Sequence, residues 1–240
     1  MLQKLSDRVY YLPWNQETDQ PSLYYIRGRD YSVAVDAGQS GRHVAQFYEA
    51  LRAEGLPMPR YTVITHWHWD HTFGLPYIQG ESLANARTVE KLMEVAEWQW
   101  TEAAMAEREK TGEDIPFCNA HIRKEYPDLG QIRVVVPDRG LHAPETLDMG
   151  DGQLQLYPMD SPHSRDALLL YWPGEKMLFV GDADCGDYYE NQGLADPDRK
   201  EAYLQFIRSL DFDLCCIGHD APESREENLK NVMQLETGKP

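Results

Sequence analysis

Directly after the apolar run Tyr61-Thr62-Val63-Ile64-Thr65 come six residues that hold three of the chain's eight histidines: His66-Trp67-His68-Trp69-Asp70-His71. A β-branched run of this kind reads as a buried strand, so the imidazoles and the carboxylate are delivered together where that strand ends. On an extended segment His66 and His68 point the same way, while Asp70 and His71 fall on the following turn. Neutral imidazole and carboxylate are ligands of zinc-like cations, and four of them in one place can serve more than one ion. The fold therefore has to hold a polar cluster at the rim of an apolar sheet.

The rest of the chain supplies that sheet. Arg8 to Leu12, Leu23 to Arg27 and Tyr31 to Val35 read as a β-meander. Val44, Phe47, Tyr48 and Leu51 then recur at helical spacing until Gly55 and Pro57. From Ala86 to Lys110, Val89, Leu92, Met93, Ala96, Trp100, Ala103 and Ala104 predict one long helix that also carries Trp98 and Met105, with Gly112 as its stop. Core packing is the simplest role for those large residues, with a substrate lid as the alternative. Residues 111–130 read as a polar loop.

Further strands are expected at Gln131 to Val136, Glu145 to Met149, Gln153 to Tyr157, Ala167 to Trp172, Met177 to Val180 and Phe212 to Ile217. Pro173-Gly174-Glu175-Lys176 turns one hairpin. Helices are expected from Asp196, with Pro197 in the first turn, and from about Pro222 to Leu235. The order β-rich, helix, β-rich, helix predicts an α+β protein with two packed sheets, helices outside and a site where strand ends converge.

Two more histidines and an acid occupy such ends. His163 lies in the turn Ser161-Pro162-His163-Ser164, Asp182 closes Val180-Gly181-Asp182, and His219 follows Gly218. Taken alone, each is better explained as an ordinary loop or core residue; joined to the cluster they become candidate ligands. His43, His121 and His142 have no neighbours at ligand spacing and are expected outside the site.

The run His66-x-His68-x-Asp70-His71, with His163, Gly181-Asp182 and Gly218-His219 downstream, resembles the metallo-β-lactamase-fold hydrolases in motif order over essentially the whole chain. The resemblance implies the family's four-layer αββα sandwich, here one domain over 1–240 with a helical insertion at about 86–130. It also implies two divalent ions, zinc first and iron, manganese or nickel as alternatives. His66, His68 and His163 would hold one, Asp70, His71 and His219 the other, and Asp182 would bridge them.

Such a pair would share a hydroxide that attacks a small ester, thioester or lactone, with Asp70 orienting it and Asp70 and Asp182 as the catalytic residues. Glyoxalase-II-like and lactonase-like branches fit comparably, while a phosphodiesterase, a β-lactam hydrolase and a non-catalytic metal-binding protein are the alternatives. Relatives with a glyoxalase-like site usually carry glycines around the third histidine, where this chain has Ser161-Pro162-His163-Ser164-Arg165. Di-iron redox members carry Glu where this chain has His68. Tyr188, Tyr189, Arg165 and Trp67 are candidate substrate contacts; for Trp67 and Trp69 packing is the simpler reading, and for Arg165 an ion pair with Asp166.

Forty acidic against 23 basic residues give a formal charge of −17, which disfavours long nucleic acids and leaves a small molecule as the expected substrate. No apolar stretch approaches the ~20 residues of a membrane span. The polar start Met1-Leu2-Gln3-Lys4-Leu5-Ser6-Asp7-Arg8 and the absence of paired cysteine spacing among Cys118, Cys185, Cys215 and Cys216 predict a cytoplasmic protein with reduced, inert thiols. Oligomeric state is not legible.

Overall fold

The structure, a computed structural model, describes residues 1–239. A seven-stranded sheet is built in order from β1 (Gln3–Lys4), β2 (Val9–Leu12), β3 (Leu23–Arg27), β4 (Ser32–Val35), β5 (Tyr61–Val63), β6 (Glu81–Asn85) and β7 (Arg139–Leu141). It is antiparallel up to β4 and parallel from β4 to β7. The second sheet, six strands, runs β13 (Glu223–Ser224), β12 (Leu214–Ile217), β11 (Met177–Gly181), β10 (Ala167–Trp172), β9 (Gln153–Met159), β8 (Glu145–Asp148), with β11 and β12 parallel.

Alternation along the strands stacks these sheets. Tyr24, Ile26, Val33 and Val35 of the first sheet meet Leu168, Leu170, Trp172 and Phe179 of the second in one inner core. The intervening residues face outward. Leu23, Tyr25 and Ala34 pack under Val44, Phe47 and Leu51 of α1 (Gly41–Ala53). Leu169, Tyr171, Leu178 and Val180 pack under α6 (Pro197–Ser209) and α7 (Arg225–Gln234) through Tyr203, Ile207 and Val232. The α+β, four-layer αββα expectation is met: two sheets in the middle, helices on both outer faces.

Boundaries differ from expectation in four places. The single helix from Ala86 to Lys110 is two, α3 (Ala86–Ala96) and α4 (Glu102–Thr111), because Trp98 and Trp100 turn in to stack on the Arg108 guanidinium at 4.5 and 4.8 Å. Thr101 then caps a new start by accepting from the Ala104 N–H. The supposed loop 111–130 contains α5 (Pro116–Glu125), with proline at the first helical position.

Gln131 to Val136 is not a strand; Asp138 binds the Ser82 N–H and hydroxyl, so the sheet edge goes to Arg139–Leu141. The strand at Tyr61 ends at Val63, since Thr65 donates its N–H to the Asp36 carboxylate instead of a ladder carbonyl. The core role of the long side chains holds: Met105 is fully buried, with Trp98 and Trp100 packed against its cluster. Cys118, Cys215 and Cys216 are buried, Cys185 is exposed, and none is paired. Among the described residues no helix is long and apolar enough to cross a membrane.

Candidate metal centre

The carboxyl ends of the parallel strands β4 and β5 face those of β11 and β12, the usual position for ligand sites in open sheets. Backbone bonds clamp the two ends together: Leu168 N–H donates to Thr65 O at 2.7 Å and Ser22 N–H to Gly218 O at 2.7 Å. Beyond β5 the chain delivers His66 and His68 and enters the one-turn helix α2 (Trp69–Thr72), which carries Asp70 and His71. His163 comes from the turn before β10, Asp182 from the end of β11 and His219 from the end of β12.

All seven expected ligands converge, in two groups: His66, His68 and His163; and Asp70, His71, Asp182 and His219. In the first, His68 Nδ1 lies 2.9 Å from His66 Nε2 and 3.0 Å from His163 Nε2. In the second, Asp70 Oδ2 lies 2.9 Å from His219 Nε2 and 3.2 Å from His71 Nε2. Asp182 Oδ2 stands between the groups, 3.3–3.4 Å from His219 and His71 and 3.8–4.0 Å from His163 and His66.

Two observations test whether a cation fits. Ligand bonds of ~2.0–2.1 Å in a tetrahedron put donor atoms about 3.3 Å apart, close to these separations. The tautomers also agree. His163 directs Nδ1 at Gly186 O (2.8 Å) and His71 directs Nδ1 at Asp36 Oδ2 (2.8 Å), so each can carry a proton there and offer Nε2 to a cation in the cluster. His71 Nε2 and Asp182 Oδ1 are buried without a hydrogen-bond partner. Lone pairs and carboxylate oxygens this close repel one another unless positive charge sits among them, so the donor set suits divalent cations.

Electrostatics follow the same division. Burial pushes His66 and His68 well below the ordinary histidine value, leaving them neutral. Burial acts the same way on His71 and His219, but the facing carboxylates of Asp70 and Asp182 outweigh it and hold both well above that value. Asp70 and Asp182 are likewise held low: the charged histidines overcome the cost of their burial. A cation among these oxygens would supply the positive charge that the protons otherwise provide.

Asp36 is a site residue that motif reading passes over. Its backbone is left-handed (φ 64°) and its side chain is 3% exposed. It accepts from Thr65 N–H at 2.7 Å, Thr65 Oγ1 at 2.9 Å and His71 Nδ1–H at 2.8 Å, and Thr65 Oγ1 in turn contacts His66 Nδ1 at 3.0 Å. One acid thus orients a histidine in each group. The available signal was an acid before Ala37-Gly38 at the end of a strand neighbouring the histidine strand. Asp36→Asn, which tolerates the backbone but offers one acceptor oxygen, should weaken metal binding about 10–100-fold. Zinc titration against a competing chelator reads this, and unchanged affinity would remove the role.

Two glycines allow the approach. A Cβ on Gly218 would stand 2.0 Å from Asp182 Oδ1, and one on Gly181 (φ 56°) 2.3 Å from Thr65 Oγ1.

The metallo-beta-lactamase superfamily model matches residues 17–219. The chain belongs to this superfamily. Among curated relatives, chicken acyl-coenzyme A thioesterase MBLAC2 is 27% identical over 192 residues, 70% of this chain and 61% of that protein. The atrochrysone carboxyl ACP thioesterase of Aspergillus fumigatus is 22% identical over 224 residues, 93% of this chain and 57% of that one. The chain therefore spans less than two thirds of the length of these relatives. Among solved structures, a metallo-beta-lactamase from Pontibacter korlensis superposes with a TM-score of 0.63 at 16% identity, covering 98% of this chain and 99% of its own. The DIM-1 metallo-beta-lactamase gives 0.66 at 16%, covering 98% and 95%. At such identities these structures show the superfamily fold alone.

Two cavities border the superfamily motif. One, of about 470 Å³, is mostly apolar: Ile115, Phe117, Cys118, Tyr188 and Tyr189 face Asp70, Asp182 and His219 across it. The other, of about 290 Å³, lies on the far side of His68 and His163 and includes Trp67 and Arg165. The four candidate substrate contacts thus all border the centre, in different ways. Tyr189 packs against both His68 (4.7 Å) and Trp67 (4.8 Å), and its hydroxyl donates to Asp114. Tyr188 is 57% exposed at the rim.

Trp67 forms a wall, whereas Trp69 is buried core. Arg165 does not pair with Asp166, as expected from adjacency. It binds Glu190 at 2.8 Å, because the Asp166 carboxylate is buried and accepts from Thr88 Oγ1. His43, His121 and His142 lie outside the centre, with His121 on α5 and not in a loop.

Proposed function

We propose that this chain is a two-metal hydrolase of small acyl thioesters. The observation that carries the reading is the apolar cavity opening directly onto the seven-donor cluster, and the thioesterase names of the curated relatives support it. His66, His68 and His163 would hold one ion and Asp70, His71 and His219 the other, with Asp182 reaching both. Five imidazoles at tetrahedral spacing favour zinc. When bound, paired divalent ions would lower the pKa of water towards neutrality and polarise the acyl carbonyl.

The chain's own residues do the rest. Ile115, Phe117, Cys118 and Tyr188 receive the acyl chain and exclude bulk water. Asp70, held ionised, would orient the attacking water, and the proton released from that water ends on the departing thiolate. The reaction adds one water across the C–S bond, yielding an acid and a thiol. The formal charge of −17 supports a small molecule over a long nucleic acid as the substrate.

Metal analysis of the purified protein, followed by assay of the zinc-loaded enzyme on thioesters, lactones, β-lactams and phosphodiesters, tests this. Thioesters should turn over fastest and chelator should abolish the activity. Turnover confined to β-lactams or phosphodiesters would overturn the acyl thioester assignment.

A further inference from the structure

Three cations gather at the rim of the smaller cavity, Arg87 and Lys91 from α3 and Arg165 from the turn before β10, among the acids Glu113, Asp166, Asp187 and Glu190 that also line it. In a chain with only 23 basic residues against 40 acidic ones, such a grouping beside the donor cluster has to be explained. Lys91 Nζ lies over the Trp67 ring at 5.2 Å and pairs with Glu94, itself 66% exposed. Arg87 donates through Nη1 to Asp160 and to Arg165 O. Arg165 engages Glu190 through Nε at 2.8 Å, with Asp160 3.9 Å from Nη1.

These ion pairs are exposed and weak, and each guanidinium, with five N–H donors, retains unused ones. The cavity shares His68, His163 and Tyr189 with the apolar one, so a ligand can lie across both.

We propose that Arg87, Lys91 and Arg165 form a phosphate subsite for the thiol half of the substrate, a phosphorylated pantetheine arm, while the acyl half occupies the apolar cavity across Tyr189. The inference rests on the thioester reading and names the carrier chemistry that reading leaves open. Asp160 and Glu190 act as place-holders that the phosphate displaces. Of the other acids lining the cavity, Asp166 and Asp187 are buried and already held by Thr88 and Arg199, which leaves Glu113 beside the three cations.

The test compares octanoyl-4′-phosphopantetheine with octanoyl-pantetheine, using the zinc-loaded full chain. The phosphorylated ester should have the higher kcat/KM, by about tenfold or more. That ratio should fall towards one in Lys91→Gln and Arg165→Gln and shrink with added NaCl, whereas Arg165→Lys should keep part of it. Octanoyl-coenzyme A and an octanoyl carrier protein, run alongside, separate the two sources of the arm.

A second readout is calorimetric binding of desulfo-coenzyme A, which has no sulfur to bind metal; Lys91→Gln should weaken it about tenfold. Equal turnover of the two pantetheine esters would overturn the subsite while leaving the thioester reading intact. Lysine-dependent binding of desulfo-coenzyme A without turnover of any thioester would overturn the reading and leave the subsite standing.

Discussion

Asp182→Ala should reduce kcat/KM by roughly a thousandfold, the size of effect seen when a preorganised electrostatic group is removed. Among the described residues, Asp182 is the only carboxylate shown within 4.0 Å of histidine nitrogens in both groups: His71 and His219 on one side, His66 and His163 on the other. Removing it deletes a negative charge from between two sets of imidazoles, so metal content should fall together with activity. It also empties the space against Gly218, where the backbone comes close because no Cβ stands there. Metal per protein by mass spectrometry and kcat/KM on the best thioester are the two measurements. Full activity with unchanged metal content would remove Asp182 from the site.

Arg199→Met is expected to have the largest effect on stability, about 3–5 kcal/mol, since it strands a buried carboxylate. Arg199 Nη2 donates to Asp187 Oδ2 at 2.7 Å, and the two side chains are 6% and 3% exposed. Asp187 also organises the segment that follows Asp182: its Oδ1 accepts from the Tyr189 and Glu190 N–H groups, and its backbone pairs with Leu194 and Gly193. Next to it, Gly186 O holds His163 Nδ1–H.

The substitution should therefore lower the melting temperature by on the order of 10 °C. It should also loosen metal binding through His163 and substrate binding through Tyr189. Asp187→Asn combined with Arg199→Met should recover part of the lost stability, because the stranded charge is gone. A melting temperature within a degree or two of the parent protein would mean that solvent reaches Asp187 and the pair contributes little.

Much of the centre was legible because metal ligation uses few residue types at strand ends, and the chain advertises them. Three histidines in six residues are conspicuous, and Gly181-Asp182 and Gly218-His219 each follow an apolar run. Asp36 was not legible as part of the site, since one acid after a strand has many ordinary roles. Only the parallel pairing of β4 with β5 sets it against Thr65 and His71.

The helices show the same limit. Apolar spacing continued smoothly from Ala86 to Lys110, yet the chain breaks at 97–101, where the pull of Arg108 on two tryptophans outweighs helix continuity. Adjacency pairs Arg165 with Asp166, but in the turn before β10 that acid is buried against Thr88 and the guanidinium reaches Glu190, 25 residues away.

By itself the sequence determined the donor set and the two-sheet α+β architecture, because those depend on residue type and on periods of 2 and 3.6 residues. The tertiary structure decided which ring nitrogens point inward, that Asp182 lies within reach of both groups, and that an apolar cavity and a charged one meet at His68, His163 and Tyr189. Those features depend on contacts such as Asp36 with His71, or Asp182 with His219, between residues 35 or more positions apart. Local pattern carries no information about such contacts; they arise only when two sheets pack and bring their strand ends face to face.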